Sequence, residues 1–485
     1  MMPNIPEPIL NLLKEIGEVG GKGTYIVGGF VRDLLLKRPN LDIDIVVETD
    51  AMPVAKTMQD RWNGKLHVHP QFGTATVTPA NPNLPKIDFV TARRETYETA
   101  GALPIVAHGT LTDDLHRRDF TINALAMRLD KRAFGTIVDN VGGLEDLEKG
   151  IIQVLHARSF TDDPTRIFRA CRYAGRYNFR IAETDVDLIR AAFPVLAELS
   201  GERIRNEIDS VLLEENAPRI VQQLAEFDVY DIVRRGWQIS PNFGDDFQMA
   251  RRAIAWASEH LTDDEFRSEL VRWMAFFGSH TSVYQIEALS FRLVLTHQLR
   301  RLVSPAQAEN HQVSLEKVTY AVFEKLGFPL SPDVSIEHQN GKWLIVDADA
   351  LTGIGTTYVC GESSLFQVET PLTAYNELKK GLGALKKWVK PSEIYQLLKP
   401  YPIEALVLGS EDETTPQWKR EKIRDYLLAL RKVQPLITGK DLIQLGKKPS
   451  RAFKTQLWKL FAAQLDGEIN KKEEAYSHLR NIDNV

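Results

Sequence analysis

Apolar and polar positions follow two different rhythms along this chain, and the change between them marks its organisation. Apolar residues at helical spacing over 6–18 predict an opening helix. TYIVGG, residues 24–29, predicts a strand ending in a turn, VRDLLL a helix, and LDIDIVVE, residues 41–48, a second strand. KLHVHP, ATVTPA and KIDFVTA read as further strands, parted by turn formers such as ANPNLPK. From about 160 to 330 the apolar residues recur at i, i+3 and i+4 with few breakers, so helices are expected there. LSGERIRNEIDSVL, residues 199–212, is the clearest of them, with Ser200 placed to cap it. Residues 333–370 interrupt the helical run: VSIEHQ-NG-KWLIV is a hairpin pattern, with Asn340-Gly341 suited to a type I′ turn, and TYVC and LFQVET are candidates for added strands. From 376 onward the pattern is helical again.

Composition narrows this picture. A length of 485 residues predicts about three domains, and the 43% hydrophobic and 26% charged content is that of a water-soluble chain with several cores. Cys171 and Cys360 are too far apart and too few for a disulfide framework or a cysteine zinc site, which fits a reducing compartment. The N-terminus lacks the basic start and apolar stretch of a secretory signal, and no apolar run reaches the ~20 residues that cross a bilayer. A cytoplasmic protein with no membrane partner is expected. The net charge of −5 argues against a nucleic-acid partner, but its distribution argues for one. Residues 376–485 carry 21 Lys and Arg against 14 Asp and Glu, and the rest carries 39 against 51. A basic end on an acidic body suits a molecule that grips phosphates at that end; solvated charged helices are the plainer account.

The candidate chemistry begins at Asp42 and Asp44. Two apart on a strand, they emerge on one face while Ile43 and Ile45 enter a core. Carboxylates held that close repel unless a cation lies between them, and magnesium, which bridges carboxylates and phosphates, meets that need. A polar edge strand explains a lone D-x-D equally well. Gly28-Gly29, between an apolar run and a helix expected to begin near Val31, offers backbone N–H groups to a triphosphate, and Arg32 a guanidinium.

IVGGFVRDLLLKRPNLDIDIVVE resembles the signature of the polymerase-β-type nucleotidyltransferases of class II, the group of bacterial and eukaryotic CCA-adding enzymes and bacterial poly(A) polymerases. The resemblance implies that Asp42 and Asp44 hold two magnesium ions and that Gly29 and Arg32 contact the nucleotide. Asp88 in KIDFVTA is the candidate third carboxylate, or else a solvated strand-end aspartate. RRDFTINALAM, residues 117–127, resembles the second block of the family; Arg118 would contact phosphates, and Asp119 and Asn123 would bind ribose hydroxyls or brace the loop. A helix start capped by Thr121 is compatible with either role.

FTDDPTRIFRACRYAGRY, residues 160–177, places Asp163 and Arg166 three apart on one helix face, with Pro164 at the first helical position. One acceptor beside a fork of donors matches the Watson–Crick edges of adenine and cytosine, which pair an amino donor with a ring-nitrogen acceptor. Guanine and uracil present the opposite polarity. Arg169 and Arg172 continue the ridge toward triphosphate or base. The family block commonly reads E-D-x-x-R, and here Asp162 stands in the glutamate's place. ERIRNEI, residues 202–208, resembles the last neck motif, and TGKDLIQLGKKPSRAFKTQLWKLF resembles the tRNA-gripping tail of bacterial CCA-adding enzymes. Lys440, Lys447, Lys448, Arg451 and Lys454 are its candidate phosphate contacts.

The expected fold is an α+β head with a mixed sheet, followed by an elongated, mostly α-helical neck, body and tail with a small β insert near 333–370. The boundaries expected are 1–155 for the catalytic head, 156–215 for the nucleotide-reading neck, 216–375 for the body and 376–485 for the basic RNA-binding tail. The expected activity is addition of C and A from CTP and ATP to the tRNA 3′ end. A-only addition, poly(A) synthesis and RNA binding on an inactive scaffold are the alternatives, and oligomeric state is left open. The loop between the first two motifs is full length, which favours an enzyme able to add the terminal A.

Overall fold

A computed structural model describes residues 5–69, 73–96, 105–262, 265–278 and 371–483 except 384 and 446–450, with Leu289, residues 292–293 and three strands between 334 and 361. The chain divides into two compact units, Met1–Gly236 and Trp237–Val485.

The first unit opens with α1 (Glu7–Gly20), β1 (Thr24–Val27), α2 (Gly29–Leu35), β2 (Ile43–Val47), α3 (Ala51–Arg61), β3 (Lys65–His69), β4 (Thr74–Thr78) and β5 (Ile87–Thr91). A hairpin of β6 (Arg93–Thr96) and β7 (Ile105–His108) follows, then α4 (Leu111–His116), β8 (Leu125–Arg128), β9 (Ile137–Asp139) and α5 (Gly143–Lys149). Seven of these strands form one mixed sheet in the order β3-β4-β5-β2-β1-β8-β9, with β2 and β5 parallel and the other neighbours antiparallel. Of the strands at its centre, β2 buries apolar residues on both faces, Ile45 and Val47 on one and Val46 on the other, whereas β5 buries Ile87 and Phe89 on one face and turns Asp88 to the other. Ala51, Val54, Ala55 and Met58 of α3 close one face, and Leu111, Leu115 and Ala124 pack on Val27 and Val46 at the other. Farther out, β4 alternates buried Ala75 and Val77 with half-buried Thr74 and Thr76 instead.

Beyond the head come the paired strands β10 (Ile151–Ile152) and β11 (Arg180–Ile181), and the helices α6 (Ser159–Asp162), α7 (Thr165–Tyr177), α8 (Glu183–Ala191), α9 (Phe193–Glu198), α10 (Gly201–Leu212), α11 (Ala217–Glu226) and α12 (Val229–Val233). Ile167, Phe168, Cys171 and Ala174 bury one face of α7. Gly175 lets α11 come close, since a Cβ there would lie 2.2 Å from Ile220 Cγ1. Ser200 caps α10 as its position predicts, accepting from the N–H of Arg203.

The second unit holds α13 (Phe243–His260), α14 (Ser268–Phe277), β12 (Val334–Gln339), β13 (Lys342–Asp347), β14 (Thr356–Gly361), α15 (Pro371–Gly383), α16 (Pro391–Leu398), α17 (Ile403–Ser410), α18 (Gln417–Leu428), α19 (Gly439–Gln444), α20 (Arg451–Leu465) and α21 (Lys472–Asp483). The hairpin expected around 340 is present as antiparallel β12 and β13 with Gln339 opposite Lys342, and β14 joins it; the turn itself and LFQVET lie outside the described residues. No helix among the described residues is long and apolar enough to cross a membrane.

Three local expectations are corrected. α2 begins at Gly29, two residues before the expected start, because Gly28 at φ +71° makes the whole turn. Thr121 starts a short 3-10 turn and caps nothing; its hydroxyl donates to Asp146 at 2.6 Å. Pro164 precedes the first turn of α7, and Asp163 serves that turn by accepting from Thr165 N–H at 3.1 Å.

Candidate active site

Parallel pairing of β2 with β5 sets Asp44 directly opposite Asp88, so both carboxylates leave the sheet on the same face. Asp42 stands one residue before β2, where its N–H donates to Asn40 Oδ1 at 2.7 Å. One oxygen from each of Asp42, Asp44 and Asp88 lies within 4.8 Å of the others. Thr76 on the neighbouring β4 donates to Asp88 at 2.5 Å and fixes its orientation. Burial pushes the Asp44 carboxyl up to about 6; Arg118 opposes the shift, and the charges of Asp42, Asp88 and Asp114 add to it. Three oxygen donors with an uncompensated negative field suit a hard divalent cation such as magnesium, which would restore Asp44 to its charged form.

The carboxylates open into a pocket of about 880 Å³ whose other walls are cationic and aromatic. Gly29, Arg32, Arg118, Asp119, Asn123 and Arg169, all anticipated from the sequence, line it. Arg118 is tied to Asp114 by Nη2 at 3.0 Å and passes so close to the glycine turn that a Cβ on Gly28 would meet its Nη1 at 2.6 Å. Its Nε has no hydrogen-bond partner. A guanidinium with free donors beside an acidic cluster is equipped to take phosphate oxygens.

Arg32 is placed differently from the expectation of a phosphate-facing guanidinium. It is buried, donates to Asp33 through Nε at 2.9 Å and Nη2 at 2.8 Å, and gives Nη1 to Asn123 Oδ1 at 2.5 Å. A desolvated guanidinium needs a full set of acceptors, and Asp33 with Asn123 supplies it. Asn123 in turn donates to Asp119 at 2.9 Å, and Asp119 binds Arg169 Nε at 2.9 Å, so the two residues brace the loop. These ion pairs hold the Asp119 carboxyl below its usual range against the opposing effect of burial.

Asp163 and Arg166 do not pair with each other and are not part of the pocket wall. Asp163 accepts from Arg203 Nη2 at 2.7 Å, and Arg166 donates to the carbonyls of Arg117 and Ser159 at 3.1 and 3.5 Å. Arg172 is also off the wall; its Nε has no hydrogen-bond partner, and its charge acts on the half-buried Glu207, whose carboxyl is raised by desolvation. Lys440 in the first turn of α19 and Lys454 on α20 are exposed, the backbone of Arg451 begins α20, and Lys447 and Lys448 lie outside the described residues.

Sequence reading missed Asp33, Asn40, Tyr173, Arg176 and Tyr177, which also line the pocket. Arg169, Tyr173 and Arg176 fall at steps of four and three on α7, the spacing of one helix face, and that signal was available. Tyr173 and Tyr177 stack at 6.2 Å between centroids, and the Arg32 guanidinium sits 4.7 Å from the Tyr177 ring.

Comparison with known proteins adds to this geometry. Residues 24–153 match the poly A polymerase head domain, and residues 178–237 match the probable RNA and SrmB-binding site of polymerase A. The chain is 31% identical over 489 residues to an A-adding tRNA nucleotidyltransferase of Halalkalibacterium halodurans, covering 98% of itself and 93% of that protein. It is 36% identical over 287 residues to an A-adding tRNA nucleotidyltransferase of Geobacter sulfurreducens, covering 58% of itself but only 32% of that protein. A solved Thermotoga maritima CCA-adding enzyme complexed with tRNA matches with TM-score 0.62 and 27% identity over 98% of this chain and 96% of that one. A mixed-sheet head presenting clustered carboxylates at the mouth of a basic pocket defines a nucleotidyltransferase. The relationship along the full chain goes further: this protein belongs to the class II tRNA nucleotidyltransferase family, in which A-adding and CCA-adding enzymes fall.

Proposed function

We propose that this protein adds nucleotides to the 3′ end of tRNA without a template, the terminal A at least. The cluster of Asp42, Asp44 and Asp88, whose first two members line one pocket with Arg118, carries this reading. The RNA 3′ hydroxyl oxygen attacks the α-phosphorus of the incoming nucleotide, a new P–O bond forms, and the bond to pyrophosphate breaks. Magnesium held by the three carboxylates, two ions in the complete site, would favour the hydroxyl's deprotonation and steady the charge on the leaving pyrophosphate. Arg118 binds the phosphates, and Asp119 and Asn123 hold the loop that carries it. Thr76 and Asn40 keep Asp88 and Asp42 in place.

Base selection is assigned to Asp163 and Arg166. In that role Arg203 gives up Asp163 when adenine or cytosine arrives, and the carbonyls of Arg117 and Ser159 release Arg166. ATP is the required nucleotide, and the cytoplasm is the compartment this reading takes. The domain scheme follows the same logic: head at 1–155, reading neck at 156–215, body at 216–375 and RNA-binding tail at 376–485.

One relative aligned almost end to end is an A-adding enzyme, which supports terminal A addition as the first reading. The full-length segment between the first two motifs fits either enzyme, and the CCA-adding enzyme that aligns along the chain supports complete CCA addition from CTP and ATP as the second. One gel decides: tRNAs ending before CCA, after C and after CC are each given labelled CTP or ATP. Incorporation of ATP on the CC-ended tRNA alone establishes A addition, and stepwise CTP then ATP incorporation establishes CCA addition. Asp44→Ala should abolish both while tRNA binding persists; retained activity would overturn the metal assignment.

A further inference from the structure

Between α15 and α16 the chain presents its largest apolar side chain type to water. Trp388 is 93% exposed; among the described residues the next most exposed large apolar side chain, Leu213, is 67% exposed. A freely moving loop would fold such a ring onto the nearest apolar surface. Here the neighbouring positions take that surface instead: Leu385 and Val389 pack against the core that includes Leu378, Leu382, Ile394 and Leu398. The segment is pinned just beyond, where Ser392 N–H and Oγ donate to Asp466 at 2.9 and 2.8 Å and Lys390 Nζ reaches Glu468 at 3.2 Å. Trp388 is therefore held outward by its own flanks.

Its immediate company is cationic. Lys386 and Lys387 are exposed, and no acidic residue occurs between Glu377 and Glu393. An outward aromatic ring next to uncompensated ammonium groups matches a polyanion whose repeating units carry flat rings. That is the chemistry of unpaired nucleotides, which stack a base on an aromatic face while lysines take the flanking phosphates.

We propose that Lys386, Lys387 and Trp388 form an RNA contact in the second unit, with Trp388 stacking on an unpaired base of the substrate. The contact rests on the tRNA reading above and supplies it with a binding site remote in sequence from the catalytic head. A protein partner would need an apolar or acidic counterpart, and the charge of this loop favours RNA over it.

The test measures binding of the full chain to a tRNA transcript that ends before CCA, without nucleotide, at low and at physiological salt. Trp388→Ala should weaken binding by about tenfold, the scale of one lost base stack, and Trp388→Phe should retain most of the affinity. Lys386→Glu with Lys387→Glu should weaken it too and flatten its salt dependence. The unfolding midpoint and the KM for ATP should stay unchanged in all three, since Trp388 supports no core. Wild-type affinity in Trp388→Ala at both salts would overturn the proposal, including the case in which the patch docks a protein. Because binding is read without incorporation, the two readings fail separately. A chain that holds tRNA through Trp388 yet adds nothing to it loses the proposed reaction and keeps this contact.

Discussion

Asp33 receives four hydrogen bonds: two from Arg32, one from Asn40 at 2.6 Å and one from the Tyr177 hydroxyl at 2.9 Å. Asn40 uses its other end to hold the N–H of Asp42, so the last turn of α7 and a candidate metal ligand share one intermediary. Burial pushes the Tyr177 hydroxyl up to about 12, and Asp33 reinforces the shift while Arg32 opposes it, which leaves this group a donor at neutral pH. Tyr177→Phe removes a single donor and keeps the ring. It should lower unfolding stability by about 1 kcal/mol, the usual worth of one such bond, and raise the KM for ATP because the lost hydroxyl helps fix Asp33 and, through Asn40, Asp42 at the pocket. Denaturant titration with initial-rate kinetics checks both; unchanged values in each would show that the bond contributes nothing. None of this was legible in the sequence. Arg32 and Asp33 were visible as a dipeptide, but the acceptors that a buried guanidinium recruits are fixed by packing, and Tyr177 is 144 residues from its partner. Arg32 was accordingly aimed at phosphate, whereas the structure gives it a structural ion pair.

At the scale of elements, what could be read from sequence is what periodicity encodes. The strands around Asp44 and Asp88 were legible because apolar residues alternate with aspartate, but their parallel pairing was not, since register depends on contacts far apart in the chain. That register turns three scattered aspartates into one cluster. The face of α7 shows the same division. Its apolar side is evident from spacing, while the resting partners of Asp163 and Arg166 were not: Arg203 donates to Asp163, and the carbonyls of Arg117 and Ser159 accept from Arg166. α7 is held to α11 across Gly175, with room for a hydrogen and no more. Gly175→Ala places a methyl group 2.2 Å from Ile220 Cγ1 and should destabilise the first unit by about 1–3 kcal/mol through overpacking. Ile220→Ala in the same chain should recover part of that loss by making room, which a change in helix propensity alone cannot do. Failure of the second change to restore any stability in thermal unfolding would show that α7 and α11 are not limited by this contact.

At the scale of the molecule, charge is divided between the ends of the chain. The acidic excess of residues 1–375 includes the carboxylates proposed to hold a cation, and the basic excess of 376–485 has no such counterpart within its own segment. If the tail grips RNA phosphates, each contact releases a counterion, and affinity falls linearly in log salt with a slope of about 0.7–0.9 per phosphate. Lys440 and Lys454 lie exposed on separate helices, so charge reversal at both disturbs no core. Lys440→Glu with Lys454→Glu should weaken tRNA binding several-fold at physiological salt and reduce the slope by about one to two. The rate at saturating tRNA and the KM for ATP should not move, because neither lysine shares a compact unit with the pocket. Filter binding over a salt series gives the slope directly. A slope equal to that of the unaltered chain would place the phosphate contacts elsewhere on the basic segment, and a loss of rate at saturating tRNA would mean that these lysines position the substrate end as well as hold it.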